Sequence, residues 1–379
     1  MSGRLGDLSS QQQSALDELR TRIQDVATPR CDDGYLLRFL RARQFDLDKS
    51  EKKIRATLEF RKKWGADTIL QDYTPPPLCV KYFPSGILPG PDKEGRPIPV
   101  LVLGEFDIKG LMKCHAKDEL IRYKVYAMEL LEQEFKVQTE KVGRIVDTVL
   151  AIVDMFGLSS YHLYRPGLVL FSEFMQIEEM HYPEIAGKVL LVRAPRIFPT
   201  IYALVKPFID PNTKDKLEVL SGSNWKERLL ENVSADYLPE LYGGKLKKEQ
   251  CPRVSWAGYV PKELYKENDV SLQHQFVKAG KKFTLEAQCH KANMELSWVF
   301  ITENHDIAFA VYHHGENGEL DEVVPGERVQ AHHGNIEGTF VCEKPGVYVL
   351  EWDNSFSWTR GKNLRYKFEL VEPGMPAQE

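Results

Sequence analysis

A chain of 379 residues is too long for one ordinary domain and sufficient for two or three. With 42% apolar and 28% charged residues it has the balance of a globular protein, and no apolar run approaches the roughly 18 residues of a membrane span. A net charge of −5 disfavours a nucleic-acid-binding function, which calls for a basic surface. The first residues, MSGRLGDLSSQQQ, lack the apolar stretch of a secretory signal. Six cysteines (31, 79, 114, 251, 289, 342) with no CxxC pair read as free thiols of a reducing compartment, not as a disulfide framework or a cysteine zinc site. The charge is uneven: residues 1–70 carry +3 and residues 251–373 carry −5, so different segments are expected to do different work.

Residues 1–70 read as a small helical bundle. Leu8, Ala15, Leu16, Leu19, Ile23 and Val26 keep helical spacing after Ser9-Ser10, and Pro29 ends the run. A second helix lies in DDGYLLRFLRARQF, with Asp32 and Asp33 as caps, and a third opens at Asp46-Leu47-Asp48 and stops at Gly65. Residues 71–245 alternate strands with helices, which defines an α/β unit with a largely parallel sheet. IPVLVLGEF, VDTVLAIVDM (146–155), KVLLVRA (188–194) and LEVL (217–220) read as strands, the second apolar enough to be covered on both faces. Helices are expected at 116–139, 161–180 and 198–209, and after Asn224 as a cap. Residues 246–268, with charges, Pro252 and Pro261, read as a linker. From 269 to 373 the period drops to two: FTLEAQC, MELSWVF, DIAFAVY, GVYVLEW and LRYKFEL predict an antiparallel β-sandwich, with GENGELD, VPGE and DNS as turns.

Motifs for catalysis are absent: there is no GxSxG, HExxH or GxxxxGK[ST]. Asp154-Met-Phe-Gly157 is read as an aspartate ending a buried strand before a glycine turn. Seven of ten histidines lie between 274 and 333, but adjacent strand residues face opposite ways, so neither His313-His314 nor His332-His333 can chelate one ion alone. No cofactor or metal is expected. The segment APRIFPTIYALVKPFI is apolar around most of a helix, at Phe198, Ile201, Tyr202, Leu204, Val205, Phe208 and Ile209, with Arg193, Arg196 and Lys206 at its ends. Such a helix is either deeply buried or serves as a lid over a lipid cavity, with its basic rim meeting anionic lipid.

The combination LLRFLRAR (36–43), DKEGRP (92–97), HYPE (181–184), APRIFPTIYALVKPFIDPNTKDK (194–216) and NW…LPELYGG (224–244) closely resembles the CRAL-TRIO family. That family includes phosphatidylinositol-transfer proteins and tocopherol- and retinaldehyde-binding proteins. GVYVLEWDNSFSW (346–358) and the following LRYKFELV resemble the GOLD domain, an eight-stranded sandwich tied to Golgi and vesicle trafficking. The pairing is similar to the tocopherol-associated or supernatant protein factor group. The resemblance implies an apolar pocket closed by a gate helix at about 197–209, and a headgroup held by Arg43, Glu184, Thr213 and Lys216. It implies a non-enzymatic cytoplasmic carrier that binds phosphatidylinositol or another phospholipid and touches membranes transiently, those of the Golgi among them. The GOLD-like unit would serve a protein partner. A lipid-sensing trafficking adaptor and a carrier of squalene- or tocopherol-like cargo are the alternatives.

Overall fold

The computed structural model describes residues 2–371 apart from 197, 207–208, 210, 266–271, 315–318 and 333–334. It divides into two compact units, one of residues 1–108 and 121–259, the other of residues 109–120 and 260 onward.

In the first unit, local capping sets the N-terminal helices α1 (Ser10–Arg22), α2 (Asp33–Ala42) and α3 (Leu47–Trp64). Ser9 and Gln12 form a reciprocal capping box, Asp32 accepts from the Tyr35 amide and Asp46 from the Lys49 amide. Gly65 ends α3 in the left-handed region at φ 62°, where glycine pays no Cβ penalty. The bundle closes on Leu16, Leu19, Leu36, Leu37, Leu40 and Ile54, all without solvent exposure.

Short helices α4 (Ile69–Asp72) and α5 (Pro77–Tyr82) lead to strands β1 (Ser85–Ile87) and β2 (Pro99–Val102). There follow α6 (Ile108–Cys114), α7 (Lys117–Val142), β3 (Val149–Asp154), α8 (Arg165–His181), β4 (Ala186–Val192), α9 (Phe198–Val205), α10 (Pro211–Lys214), β5 (Leu217–Leu220) and α11 (Trp225–Asn232). The sheet order is β1-β2-β3-β4-β5, with β1 antiparallel to β2 and the others parallel, so helices must make the crossovers. Asn224 precedes α11 but makes no side-chain cap bond. Residues 246–259, read as the start of a linker, contribute Cys251 and Val254 to the core of this unit.

The two faces of this sheet differ. On one, Val100, Val102, Leu150, Ile152, Leu190 and Val192 are 0–2% exposed beneath Leu229, Val233 and Tyr242. On the other, Ala151, Val153, Ala186 and Leu217 are only partly buried, with Phe198 and Ile201 of α9 packed near them. The apolar run of β3 is thus covered on both faces, more completely on the first. On the second face Val189 and Leu191 are buried at 9% and 7%, beside the partly buried Ala151, Val153, Ala186 and Leu217.

The second unit is a sandwich of two antiparallel four-stranded sheets. Its strands are β6 (Gln273–Val277), β7 (Lys282–Cys289), β8 (Met294–Thr302), β9 (Ile307–His314), β10 (Leu320–Val329), β11 (Ile336–Cys342), β12 (Gly346–Asp353) and β13 (Lys362–Val371). The orders are β10-β9-β12-β7 and β11-β8-β13-β6. Trp352, Phe300, Leu350 and Leu364 are fully enclosed between them. The VPGE segment lies inside β10, where register shifts mark bulges that accommodate Pro325. His313 points inward and its ring nitrogen lies 3.2 Å from the Pro345 carbonyl, while His314 is exposed. Among the described residues no group of three His, Cys, Asp or Glu side chains could hold a metal ion, and no helix is long and apolar enough to cross a membrane.

Candidate functional site

The turn Tyr182-Pro183-Glu184, between α8 and β4, is held from three directions. Arg38 of α2 donates from Nε to the Pro183 carbonyl at 3.0 Å. The Tyr182 hydroxyl donates to Glu129 of α7 at 2.7 Å, and Glu129 is also bound by Arg61 of α3 at 2.8 and 3.1 Å. Arg38 and Arg30 both reach Glu132, at 2.8 and 3.2 Å. This network over-determines the turn, which lets Glu184 occupy the left-handed region at φ 62°, a conformation costly for a residue with a Cβ. The arginines of LLRFLRAR thus act on HYPE directly, which is the physical reason the two motifs occur together. Burial pushes the Tyr182 hydroxyl well above its ordinary pKa, with Glu129 adding to the rise, so it remains a donor.

Glu184 and Thr213 line a cleft of about 610 Å³, its open mouth included, with Lys53, Met175, Glu179 and Ile209. The Lys216 amide donates to the Thr213 carbonyl at 3.0 Å, so one turn presents both residues. Lys216 Nζ lies 3.9 Å from Glu184 Oε2, and Arg41 Nε lies 3.9 Å from the same oxygen. These pairs are loose beside Arg43–Glu179 at 3.0 Å and Lys53–Glu179 at 3.2 Å. Arg41 Nε is buried and has no hydrogen-bond partner among the described residues. Burial lowers the pKa of the Arg41 guanidinium and Asp147 opposes that, while Glu179 is held below its ordinary range by Lys53 and Arg43 against the cost of burial. The cleft therefore presents a hydroxyl and a carboxylate, with Lys216 and Arg41 near that carboxylate and only loosely paired to it.

Of the four residues singled out from the sequence, Glu184, Thr213 and Lys216 come together. Arg43 binds Glu179, which lines the cleft, and neither Arg43 nor Lys216 is itself a lining residue. Sequence reasoning missed Arg41, Lys53 and Glu179. Arg41 stands three residues after Arg38 on the helix, a spacing that places both on one face. Lys53, in the charged run SEKKIR, carried no signal; it is 3% exposed because α8 covers it.

A second cleft, of about 530 Å³ with its opening, is bounded by Leu103, Phe106, Leu158, Phe171, Phe198 and Tyr202. Leu168 and Phe171 of α8 line this cleft and Met175, Glu178 and Glu179 line the first, all on one helical stripe. One face of α8 thus passes from an apolar cleft to a charged one. The helix expected over 198–209 ends its regular turns at Val205. Ile201 is buried at 5% and Tyr202 half-buried. Leu204 and Val205 are described in backbone only, and Phe208 lies outside the described residues.

Arg196 and Lys206 are exposed. Arg193 differs. It pairs through both Nε, at 2.9 Å, and a terminal nitrogen with Asp154, which is wholly buried and also accepts from the Tyr242 hydroxyl at 2.9 Å. Arg193 therefore ties the ends of β3 and β4 to the YGG segment and is not a free rim cation. Asp154 ends its buried strand as expected, and Gly157 turns the chain at φ 88°.

His181, next to the turn, stacks on Phe60 with ring centroids 3.8 Å apart and its Nδ1 lies 3.1 Å from the Thr57 hydroxyl. Burial, then Lys53, push its pKa down to about 4. The folded value lies below the unfolded value of about 6.5, so the unfolded chain takes up a proton first as pH falls. Stability contributed by neutral His181 is complete above about pH 6.5 and is lost progressively towards pH 4. Thermal midpoints measured from pH 7 to pH 4 should fall, and His181→Gln should flatten that slope.

The open parallel sheet, the apolar face left half covered and the charged turn at one end define an α/β binding domain for an amphiphile. The CRAL/TRIO domain family matches residues 85–244 and the CRAL/TRIO N-terminal domain family residues 15–56. Among solved structures, Sfh5 aligns over 70% of this chain and 98% of its own at 16% identity with a TM-score of 0.53, a likeness of fold. The mitogen derived from Yersinia pseudotuberculosis (28% of this chain, 88% of its own, 5% identity) has a TM-score of 0.21 and carries no argument. The same holds for the CBM22-1 xylan-binding domain of Paenibacillus barcinonensis Xyn10C (27% of this chain, 74% of its own, 16% identity), also at a TM-score of 0.21. The chain belongs to the CRAL/TRIO family, and lipid binding and transfer is the activity that membership supports.

Proposed function

We propose that the protein carries a phospholipid, phosphatidylinositol first, between membranes. The acyl chains lie against the half-covered face of the α/β sheet and the headgroup lies at Glu184, Thr213 and Lys216. The observation that carries this reading is the asymmetry of the sheet: Ala151, Val153, Ala186 and Leu217 present apolar surface that the protein's own side chains leave partly open. Acyl chains gain about 0.8 kcal/mol per CH₂ removed from water, so filling that surface with lipid stabilises both partners. At the polar end, Lys216 and Arg41 supply charge for a phosphate, Thr213 a hydroxyl, and Glu184 an acceptor for headgroup hydroxyls. Arg43 acts at one remove, by holding Glu179.

Exchange requires α9 to move away from the sheet, with Arg196 and Lys206 meeting the membrane surface; no covalent step is involved. Six free cysteines support a reducing, cytoplasmic setting. Lipid extracted from the purified protein should contain a phospholipid by mass spectrometry. In a vesicle-to-vesicle assay, Lys216→Ala and Glu184→Ala should each lower phosphatidylinositol transfer by about tenfold, from one lost charge-assisted bond. Undiminished transfer in both variants would overturn the headgroup assignment.

A further inference from the structure

Trp358 is 96% exposed, the most exposed large apolar side chain of the described residues. It stands in the loop between β12 and β13, at one end of the sandwich. Buried Asn354 at the base of this loop donates to the carbonyls of Val277, Lys278 and Arg360 at 3.2, 3.2 and 2.9 Å. The Gly280 amide donates to Asn354 at 3.1 Å, and the Asn354 amide to Lys281 at 3.0 Å. The turn between β6 and β7 and the loop carrying Trp358 are therefore one tied structure. Phe356 is held beneath, with the Arg328 guanidinium 4.1 Å from its ring centroid, and Gly361 gives the Phe276 ring room that a Cβ would fill. Trp358 is presented on a fixed support and packs on nothing of its own unit.

The loop of Trp358 and the turn between β6 and β7 carry charge of one sign only. Lys278, Lys281 and Arg360 are exposed and make no ion pair among the described residues. Most acidic groups at this end are engaged: Asp306 by Arg328 at 2.5 Å and by Lys362 at 3.4 Å, Asp353 by Lys282 at 3.2 Å and Glu303 by Arg365 at 3.6 Å, while Glu327 beside Arg328 is exposed. A segment carrying −5 overall thus holds, on these two tied segments, three exposed cations and an exposed indole.

We infer that this tip is a docking surface for an anionic lipid bilayer. Tryptophan favours the bilayer interface, where its ring enters the headgroup layer and its N–H remains hydrogen-bonded. Cations close to an anionic leaflet are attracted within a Debye length, whatever the net charge of the remainder of the unit. Both features suit that one occupant. The inference is independent of what the α/β unit carries, because it concerns adhesion and not cargo.

The test uses the full chain with vesicles of phosphatidylcholine alone or with 30% phosphatidylserine, in a sedimentation assay. The wild type should partition onto the anionic vesicles and only weakly onto neutral ones. Trp358→Ala should lower that partitioning by about tenfold, from lost apolar contact. Lys278→Ala, Lys281→Ala and Arg360→Ala should lower it by about fivefold each and by on the order of a hundredfold together. All four positions are exposed, so unchanged thermal midpoints are expected and separate lost docking from lost folding. Equal binding by wild type and variants, or equal binding of the wild type to neutral vesicles, would overturn the inference. So would a concentration-dependent dimer in sedimentation velocity that Trp358→Ala abolishes, which would make a second copy of the chain the occupant.

Discussion

Replacing Glu129 by alanine is expected to lower the stability of the α/β unit by about 3 kcal/mol, the lower part of the range for removing one partner of a buried ion pair. Arg61 is 2% exposed and would keep only Asp67, at 2.6 and 2.9 Å, while Tyr182 would lose the acceptor of its buried hydroxyl. The charge left behind dominates the cost, because desolvation disfavours an unpaired guanidinium far more than the pair gains over water. For a unit of this size the thermal midpoint should fall by about 6–12 °C. The combined replacement Glu129→Leu with Arg61→Leu should recover much of the loss, since removing both charges leaves no charge buried and unpaired, only the Tyr182 hydroxyl without its acceptor. If Glu129→Ala unfolds like the wild type, the network does not hold the helical bundle and the Tyr182-Pro183-Glu184 turn together. The same variant should weaken headgroup binding, because Glu184 would lose one of the contacts that keep it in a left-handed conformation.

Ala151→Phe should lower lipid transfer at least tenfold while leaving the thermal midpoint within about 2 °C of wild type. Ala151 is only partly buried, on the face of β3 that packs with Val189, Leu191 and Ile201. In a filled core, an added ring would force neighbours off their rotamers at a cost of about 1–3 kcal/mol. In an apolar cleft it has room, and it then occupies the volume that acyl chains need. Transfer should drop at least tenfold, roughly the loss of two buried methylenes. The same substitution at Leu150 points into the packed face and serves as the contrast: there destabilisation is expected. A large drop in stability at position 151 with transfer intact would show that the open face is ordinary core and that lipid binds elsewhere.

The parts of this fold that were legible in the sequence are those decided by neighbours along the chain. Ser9 with Gln12, Asp32, Asp46 and Gly65 each mark a helix end through a hydrogen bond or a φ angle spanning three or four residues. Alternation in GVYVLEW and LRYKFEL likewise identified β12 and β13, because Leu350, Trp352, Leu364 and Tyr366 all face one core. Reading failed where a residue answers to something distant. Gly338 breaks the pattern of β11 because a Cβ there would meet the Trp298 ring at 2.4 Å, and Pro325-Gly326 sits in a bulge of β10 that resembles a turn.

The functional region divides in the same way. Glu184, Thr213 and Lys216 belong to motifs short enough to recognise, and their types suit a phosphate and its hydroxyl neighbours. Lys53 and Glu179, 126 positions apart, looked like solvated helix charges and became buried partners only once α3 and α8 packed. Arg43 and Arg193 kept the charge expected of them and lost the freedom, being taken up by Glu179 and Asp154. The sequence alone established two architectures, an α/β unit after a helical bundle and a β-sandwich, because capping, period and turn chemistry are local. Tertiary structure decided which apolar residues fill a core and which leave a face open, and which charges are spent on one another. Burial and pairing are set by contacts between segments far apart in the chain, and no local pattern records them.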